Sequence, residues 1–173
     1  MPAPSRTSIA EIVSAGRDLL ESGGPAALTM QKVAQKVGVR APSLYKHVRD
    51  REALLSAVSA ATIDDLAECF AGSEESLDSL FRAYRAFAHR WPEGFRLMFS
   101  PGAPLDSLER ASEPVLAAAR DLAGAEALEA ARLMTAWATG FIHMELAGAF
   151  RLGGDVDHAF EYGLEHLRAG LER

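Results

Sequence analysis

The stretch that most constrains this chain is Thr29–Leu55, TMQKVAQKVGVRAPSLYKHVRDREALL. Met30, Val33, Ala34 and Val37 recur at spacings of three and four, which places one apolar stripe on a helix. The Thr29 hydroxyl is suited to cap the N-terminus of that helix. Gly38 follows the last periodic residue, where a left-handed residue closes a helix, and Val39 is suited to pin the turn against the core. A second helix restarts at once with Pro42, whose fixed φ fits a first helical position and whose missing N–H costs nothing there. Leu44 and Val48, four apart, turn inward, so Pro42, Tyr45, Lys46 and Arg49 face outward or sideways. Asp50 then caps a longer helix carrying Leu55, Val58, Thr62, Leu66 and Cys69 on one stripe. Two short helices across a tight turn, with a third to follow, form a helix-turn-helix. The exposed face of its second helix, cationic and hydroxyl-bearing, suits a major groove lined by phosphates.

A formal charge of −6 looks wrong for such a partner until it is divided along the chain. Residues 1–55 hold eight Lys and Arg against five Asp and Glu, so this segment is positive and the remainder carries all of the acidic excess. All three lysines, Lys32, Lys36 and Lys46, fall in it. Positive charge therefore collects where phosphates would lie.

The N-terminus MPAPSRTS has no apolar core for a signal peptide, and its Pro and Ser predict a disordered arm over residues 1–7, with Arg6 as either a weak phosphate contact or an idle terminus. The charge-free apolar run from Leu133 ends at Met144, short of the roughly 20 residues that a membrane span needs. One cysteine excludes an internal disulfide framework and fits a reducing compartment, so a cytoplasmic chain without membrane contact is expected. On its stripe, Cys69 reads as small core filler.

Upstream, Ser8–Glu11 has the form of a capping box, and Ile9, Ile12, Val13, Gly16, Leu19 and Leu20 give the first helix its stripe. Beyond Val58 the chain reads as helix throughout, with breakers at Gly72, Trp91–Pro92, Pro101–Pro104, Gly124 and Gly153–Gly154. They predict helices near 76–90, 92–99, 106–123, 125–152 and 155–171. The expected fold is all-α: a three-helix helix-turn-helix head over residues 8–55, joined by a connecting helix to a helical bundle within residues 56–173.

The run SLYKHVRDREALL resembles the signature of the TetR family of bacterial transcriptional regulators: a Leu-Tyr pair, a nearby His, and a basic residue opening the next helix ahead of a Leu pair. The resemblance extends upstream through IAEIVSAGRDLLESGGPAALTMQKVAQKVGV and covers about Ser8 to Val58, with Val48 standing where an aromatic is usual. It implies a homodimer on a pseudo-palindromic DNA operator, most commonly a repressor, released by a small-molecule effector. Arg40, Ala41, Pro42, Ser43 and Lys46 are the candidate base contacts, Arg40 for the paired acceptors of guanine, and Thr29, Tyr45, His47 and Arg51 the candidate phosphate contacts.

Two features of the body bear on that expectation. Small residues crowd the penultimate helix (Ala127, Ala130, Ala131, Ala136, Ala138, Gly140, Ala147, Gly148, Ala149), and Phe160, Leu164, Leu167 and Leu171 mark a seam on the last. The seam is either half of a dimer interface or internal core, and the two half-sites read by a dimeric helix-turn-helix favour the interface. Aromatic and Met residues are also concentrated, and either fill the core or line a cavity. WPEGFRLMFS and AWATGFIHMELAGAF resemble the body of a WHG-type subgroup of the same family, with Trp137 and Gly140 matching and Thr139 where a His is expected. That likeness implies an effector cavity bounded by Phe87, Trp91, Phe95, Met98, Trp137, Phe141 and Met144, with polar contacts from Tyr84, His143 and Glu145, and a largely apolar ligand.

Other function classes fare worse. His158, Glu161, Tyr162 and Glu165 share a face of the last helix beside His166, a spacing able to hold a metal, yet no HExxH, paired Cys or second ligand cluster supports a metal-dependent enzyme, and a solvated charged face explains it. No nucleophile elbow, P-loop or dinucleotide fingerprint occurs, so neither catalysis nor a cofactor is expected. A helical interaction module that never meets DNA would leave the outward Tyr45 and Lys46 without purpose.

Overall fold

The structure is a computed structural model that describes residues 7–172. Most of the expected 1–7 arm, with Arg6, lies outside the described residues, and Thr7 itself is buried. The described residues form helices and no strand. They divide into two compact units: one runs to Asp64 and takes in Trp91–Leu108, the other comprises Asp65–Arg90 and Glu109–Arg173. The expected functional division at residue 55 does not follow these packing boundaries.

In the first unit, α1 (Ile9–Ala27) opens with the capping box: the Glu11 amide donates to Ser8 Oγ at 3.2 Å and the Ser8 amide to Glu11 Oε2 at 2.8 Å. It is kinked at Gly23–Gly24, where Gly24 takes a φ of 66°. Next, α2 (Met30–Lys36) ends as Gly38 adopts a φ of 74°, with the Val39 amide donating to the Ala34 carbonyl at 2.9 Å and Gly38 to Gln35 at 3.3 Å. These are the paired bonds of a Schellman closure, which satisfy carbonyls that the helix leaves free.

The recognition helix, α3 (Ala41–Leu44), is shorter than the sequence predicts. Arg40 is its cap residue, so Pro42 occupies the second helical position, where an N–H is equally dispensable. Residues 45–47 continue as a turn, closed by the Val48 amide on the Leu44 carbonyl at 2.9 Å. Then α4 (Arg51–Ala71) passes from the first unit into the second. Ile12, Leu20, Leu28, Val33, Leu44, Val48, Leu54 and Val58 belong to one head core. A Cβ at Gly16 would lie 2.9 Å from Val58 Cγ2, so only glycine lets α1 approach α4 this closely.

The buried stripe of α4 is Leu54, Val58, Thr62, Leu66 and Phe70, whereas Leu55 is only half-buried and Cys69 is exposed. The expectation that Cys69 fills core is corrected: packing selects the neighbouring phase of the helix, and the larger Phe70 takes the inward place.

The remaining helix of the first unit, α6 (Pro92–Leu97), follows α5 (Leu77–Arg90) of the second. Glu21 of α1 accepts from the amides of Gly94 at 2.7 Å and Glu93 at 3.2 Å, so a carboxylate meets the positive end of α6. Then α7 (Leu105–Ala123), which begins in the first unit and enters the second at Glu109, leads through a 3-10 turn at Gly124–Glu126 to α8 (Ala127–Leu146), then α9 (Val156–Leu171). The predicted helix 125–152 is therefore too long. Gly148, with a φ of 61°, ends α8 by a second Schellman closure, Ala149 donating to Met144 at 2.9 Å and Gly148 to Glu145 at 2.9 Å. Phe160 and Leu164 of the α9 seam are buried within the chain and Leu167 and Leu171 half-buried, so the seam is in large part internal core.

Candidate nucleic-acid interface and effector region

The head brings its nine candidate residues to the N-terminal cap of α2, to α3 with its cap and following turn, and to the first residue of α4. Thr29, extended at φ −121° and ψ 150°, caps α2 by accepting from the Lys32 amide at 3.3 Å. Arg40 and Pro42 are exposed at the start of α3, Ala41 and Ser43 half-buried beside them, and Tyr45, Lys46 and His47 stand outward on the turn after it. Tyr45 is 54% exposed, which leaves its ring and hydroxyl open to a stacking or hydrogen-bonding contact with a partner.

Hydrogen bonds sort the cations of the head. Lys36 pairs with Asp18 at 3.1 Å, and Arg49 Nε donates to Asp50 Oδ2 at 2.7 Å. The Ala53 amide, which donates to Asp50 as it caps α4, and then the Arg49 guanidinium hold that carboxyl below its usual value. Arg51 donates to backbone carbonyls of α1 and its cap, Leu28 at 2.8 Å among them. Arg40, Lys46 and Lys32 are exposed with no ion pair among the described residues. Lys32 counts toward the head's positive charge but is not among the expected DNA contacts; its place one turn beyond Thr29 on α2 is the signal that marks it.

The ten effector candidates are divided between the two units. Trp91, Phe95 and Met98 belong to the first unit, where Phe95 and Met98 are buried and Arg17 lies over the Trp91 ring at 5.3 Å. Tyr84, Phe87, Trp137, Phe141, His143, Met144 and Glu145 belong to the second. Tyr84 and Phe87 are buried, and the Tyr84 hydroxyl meets Thr139 Oγ1 at 2.9 Å. Burial pushes the Tyr84 phenol up to about 12, against the opposing pull of that hydrogen bond. Trp137 stacks on Phe160 with centroids 5.2 Å apart, and Phe141 packs on Phe150 at 4.8 Å. His143 is half-buried and Met144 is 49% exposed.

A cleft of about 450 Å³ opens on α5, α8 and α9, lined by Arg82, Arg85, Ala86, His89, Glu145, Asp157, Phe160 and Glu161. Of the ten candidates it contains Glu145, and charged side chains make up most of its lining. Arg85 donates to Glu145 Oε2 at 2.9 Å and to Asp157 Oδ1 at 2.6 Å, and lies 4.9 Å over the Phe160 ring. His89 Nε2 is 3.1 Å from Glu145, and Arg82 forks onto Glu161. Burial works to raise the Glu145 carboxyl, but Arg85 and His89 together outweigh it and hold it below its usual range. Arg82 and Arg85 one turn apart, and Asp157 and Glu161 one turn apart, gave the sequence matched charge spacings with nothing to say which helices face each other. Glu161, a member of the metal-capable face, is engaged by Arg82 instead.

A family model described as bacterial regulatory proteins, tetR family, matches residues 12–58, and one described as tetracyclin repressor-like, C-terminal domain, matches residues 77–167. An uncharacterized HTH-type transcriptional regulator of Mycobacterium tuberculosis is 29% identical over 98% of this chain and 84% of its own length. Tetracycline repressor protein class A of Escherichia coli is 32% identical over 86% of this chain and 73% of its own. Among solved structures, a point variant of TetR from Acinetobacter baumannii in complex with minocycline has the same fold, with a TM-score of 0.74 at 22% identity over 96% of this chain and 97% of that one. With a helix-turn-helix head whose free cations face outward and a helical body matched over residues 77–167, the chain belongs to the TetR family and is a DNA-binding transcriptional regulator.

Proposed function

We propose that the chain is a repressor that reads a pseudo-palindromic operator as a homodimer and is released from it by a small-molecule effector held in the body. The observation that carries this reading is the sorting of the head's cations: Lys36, Arg49 and Arg51 are engaged within the chain, while Arg40 and Lys46 stand exposed on either side of α3. Arg40 is assigned to guanine, with Ala41, Pro42, Ser43 and Lys46 beside it, and Thr29, Tyr45 and His47 to phosphates, which fix register without reading sequence. Residues 8–55 are the DNA-binding part and 56–173 the ligand-binding and dimerising part.

Dimerisation is assigned to the outer face of α8 and α9, where Leu133, Met144 and Tyr162 are 48%, 49% and 57% exposed and Ala136, Gly140 and Ala159 leave room for close approach. The effector is assigned to the body aromatics around Tyr84, Phe87, Trp137 and Phe141, with Glu145 at the charged cleft, so it pairs an apolar frame with a polar group. A relative named as a tetracycline repressor supports the repressor sign, and the minocycline complex of a protein of the same fold supports ligand control. The effector must favour the DNA-incompetent dimer by about 1–3 kcal/mol to give typical coupling.

Selection of bound duplexes from a random pool by the full chain supplies the operator for the test. Arg40→Ala is expected to lower the ratio of operator to random-duplex affinity by roughly 10-fold, the worth of one bidentate base contact. Tyr45→Ala is expected to weaken both affinities alike. Equal loss of discrimination from both variants overturns the assignment, and a wild type that enriches no sequence overturns the operator reading as a whole.

A further inference from the structure

Arg51 opens α4, the end of a helix where aligned peptide dipoles make a cation unwelcome. Its side chain instead serves the opposite end of another helix. Nε donates to the Leu28 carbonyl at 2.8 Å and Nη2 to the Pro25 carbonyl, in the last turn of α1 and its cap residue. These carbonyls lie beyond the Gly23–Gly24 kink, in the short turn that ends α1, where Pro25 is met by the Leu28 amide only at 3.4 Å, so the guanidinium finds open acceptor capacity there.

What these two bonds join matters for the duplex. The residue after Leu28 is Thr29, the cap of α2, and the residue before Arg51 is Asp50, which caps α4 by accepting from the Ala53 amide at 2.8 Å. The segment between them carries α2, the Gly38 turn and α3, every element assigned to DNA. Arg51 thus ties the entry of this segment to its exit across 23 positions of sequence. A planar fork with fixed N–H directions can hold two carbonyls at once, whereas a lysine ammonium is a point charge on a flexible stem.

We propose that Arg51 is a positioning residue for DNA binding: it clasps the two ends of the helix-turn-helix and acts on the duplex through Thr29 and α3, not by gripping a phosphate. This rests on the assignment of α2 and α3 to the duplex and replaces the phosphate contact that the family resemblance implies for Arg51.

The two roles separate in salt dependence and in rescue by lysine. Wild type, Arg51→Ala and Arg51→Lys are titrated as full chains onto the selected operator and onto a random duplex across a salt series. A residue that neutralises one phosphate contributes about 0.9 to the slope of log affinity against log salt. Both Arg51 variants are expected to keep the wild-type slope while losing operator affinity by roughly 10-fold, since a forked charged hydrogen bond is lost in each. A slope reduced by about 0.9 in Arg51→Ala, or wild-type affinity in Arg51→Lys, overturns the clasp. If Arg51→Ala does not fold, Arg51→Lys decides alone, because a phosphate contact tolerates lysine and a two-carbonyl clasp does not. A wild type that binds no duplex overturns the DNA assignment and the clasp with it; a wild type that binds while Arg51→Lys matches it overturns the clasp only.

Discussion

At the scale of single residues, the positions that matter most are those where one atom more or less changes what can pack. Gly163 on α9 is such a place, because a Cβ there would overlap the Trp137 ring at Cζ2 and Cε2. Trp137 is in turn stacked on Phe160, so the ring has buried neighbours to displace. Gly163→Ala is expected to cost about 1–3 kcal/mol, the usual toll of overpacking, and to alter the near-ultraviolet circular dichroism of the tryptophans. A thermal melt that coincides with wild type would show that α9 moves aside freely and that this close approach is not fixed. Glycine at 163 was invisible as a packing residue in the sequence, since nothing local demands it: its partner lies on another helix. Leu44 and Val48 were legible because their spacing of four and their place between caps decide their direction. On α4 the same kind of spacing left two phases open, and the structure took Phe70 over Cys69.

At the scale of elements, helix ends were readable where signals clustered and not where they stood alone. The Schellman closures at Gly38 and Gly148 have the same bonds, yet only the first is followed at once by a proline and a new stripe. Gly148 lies among alanines that would continue a helix equally well, so the predicted end fell at 152 instead of Leu146. Between elements the decisive contact is the charged cluster of α5, α8 and α9, where Glu145 joins Arg85 and His89. Its carboxyl lies below the ordinary value of 4.5 in the folded chain. A depressed carboxyl contributes stability that is present in full above the unfolded value and is lost as pH falls through the folded one. Glu145→Gln is therefore expected to be less stable than wild type at neutral pH, with the difference shrinking on acidification below 4.5. Thermal melts of both chains across that range check it; a gap that stays constant with pH would show that the ionised carboxylate adds nothing.

At the scale of the whole molecule, the proposed homodimer follows from apolar side chains left open on α8 and α9. Leu133→Glu with Tyr162→Glu is expected to shift the sedimenting species from dimer to monomer at micromolar concentration while leaving helicity intact, because both side chains are exposed in the folded chain. A wild type that sediments as a monomer, alone and on DNA, would reject the dimer. The helical class, the helix-turn-helix and the segregation of positive charge into the head are legible in the chain alone, because caps, turn glycines, prolines and stripes act within a few residues of one another. Which charges meet is a matter of packing: Arg82 with Glu161, 79 positions apart, Arg85 with Glu145, 60 apart, and Arg51 with the end of α1, 23 apart. Helical spacing says which residues share a face, but which faces meet depends on how long loops close and which packing phase fills the core, and neither is written in any single stretch of chain.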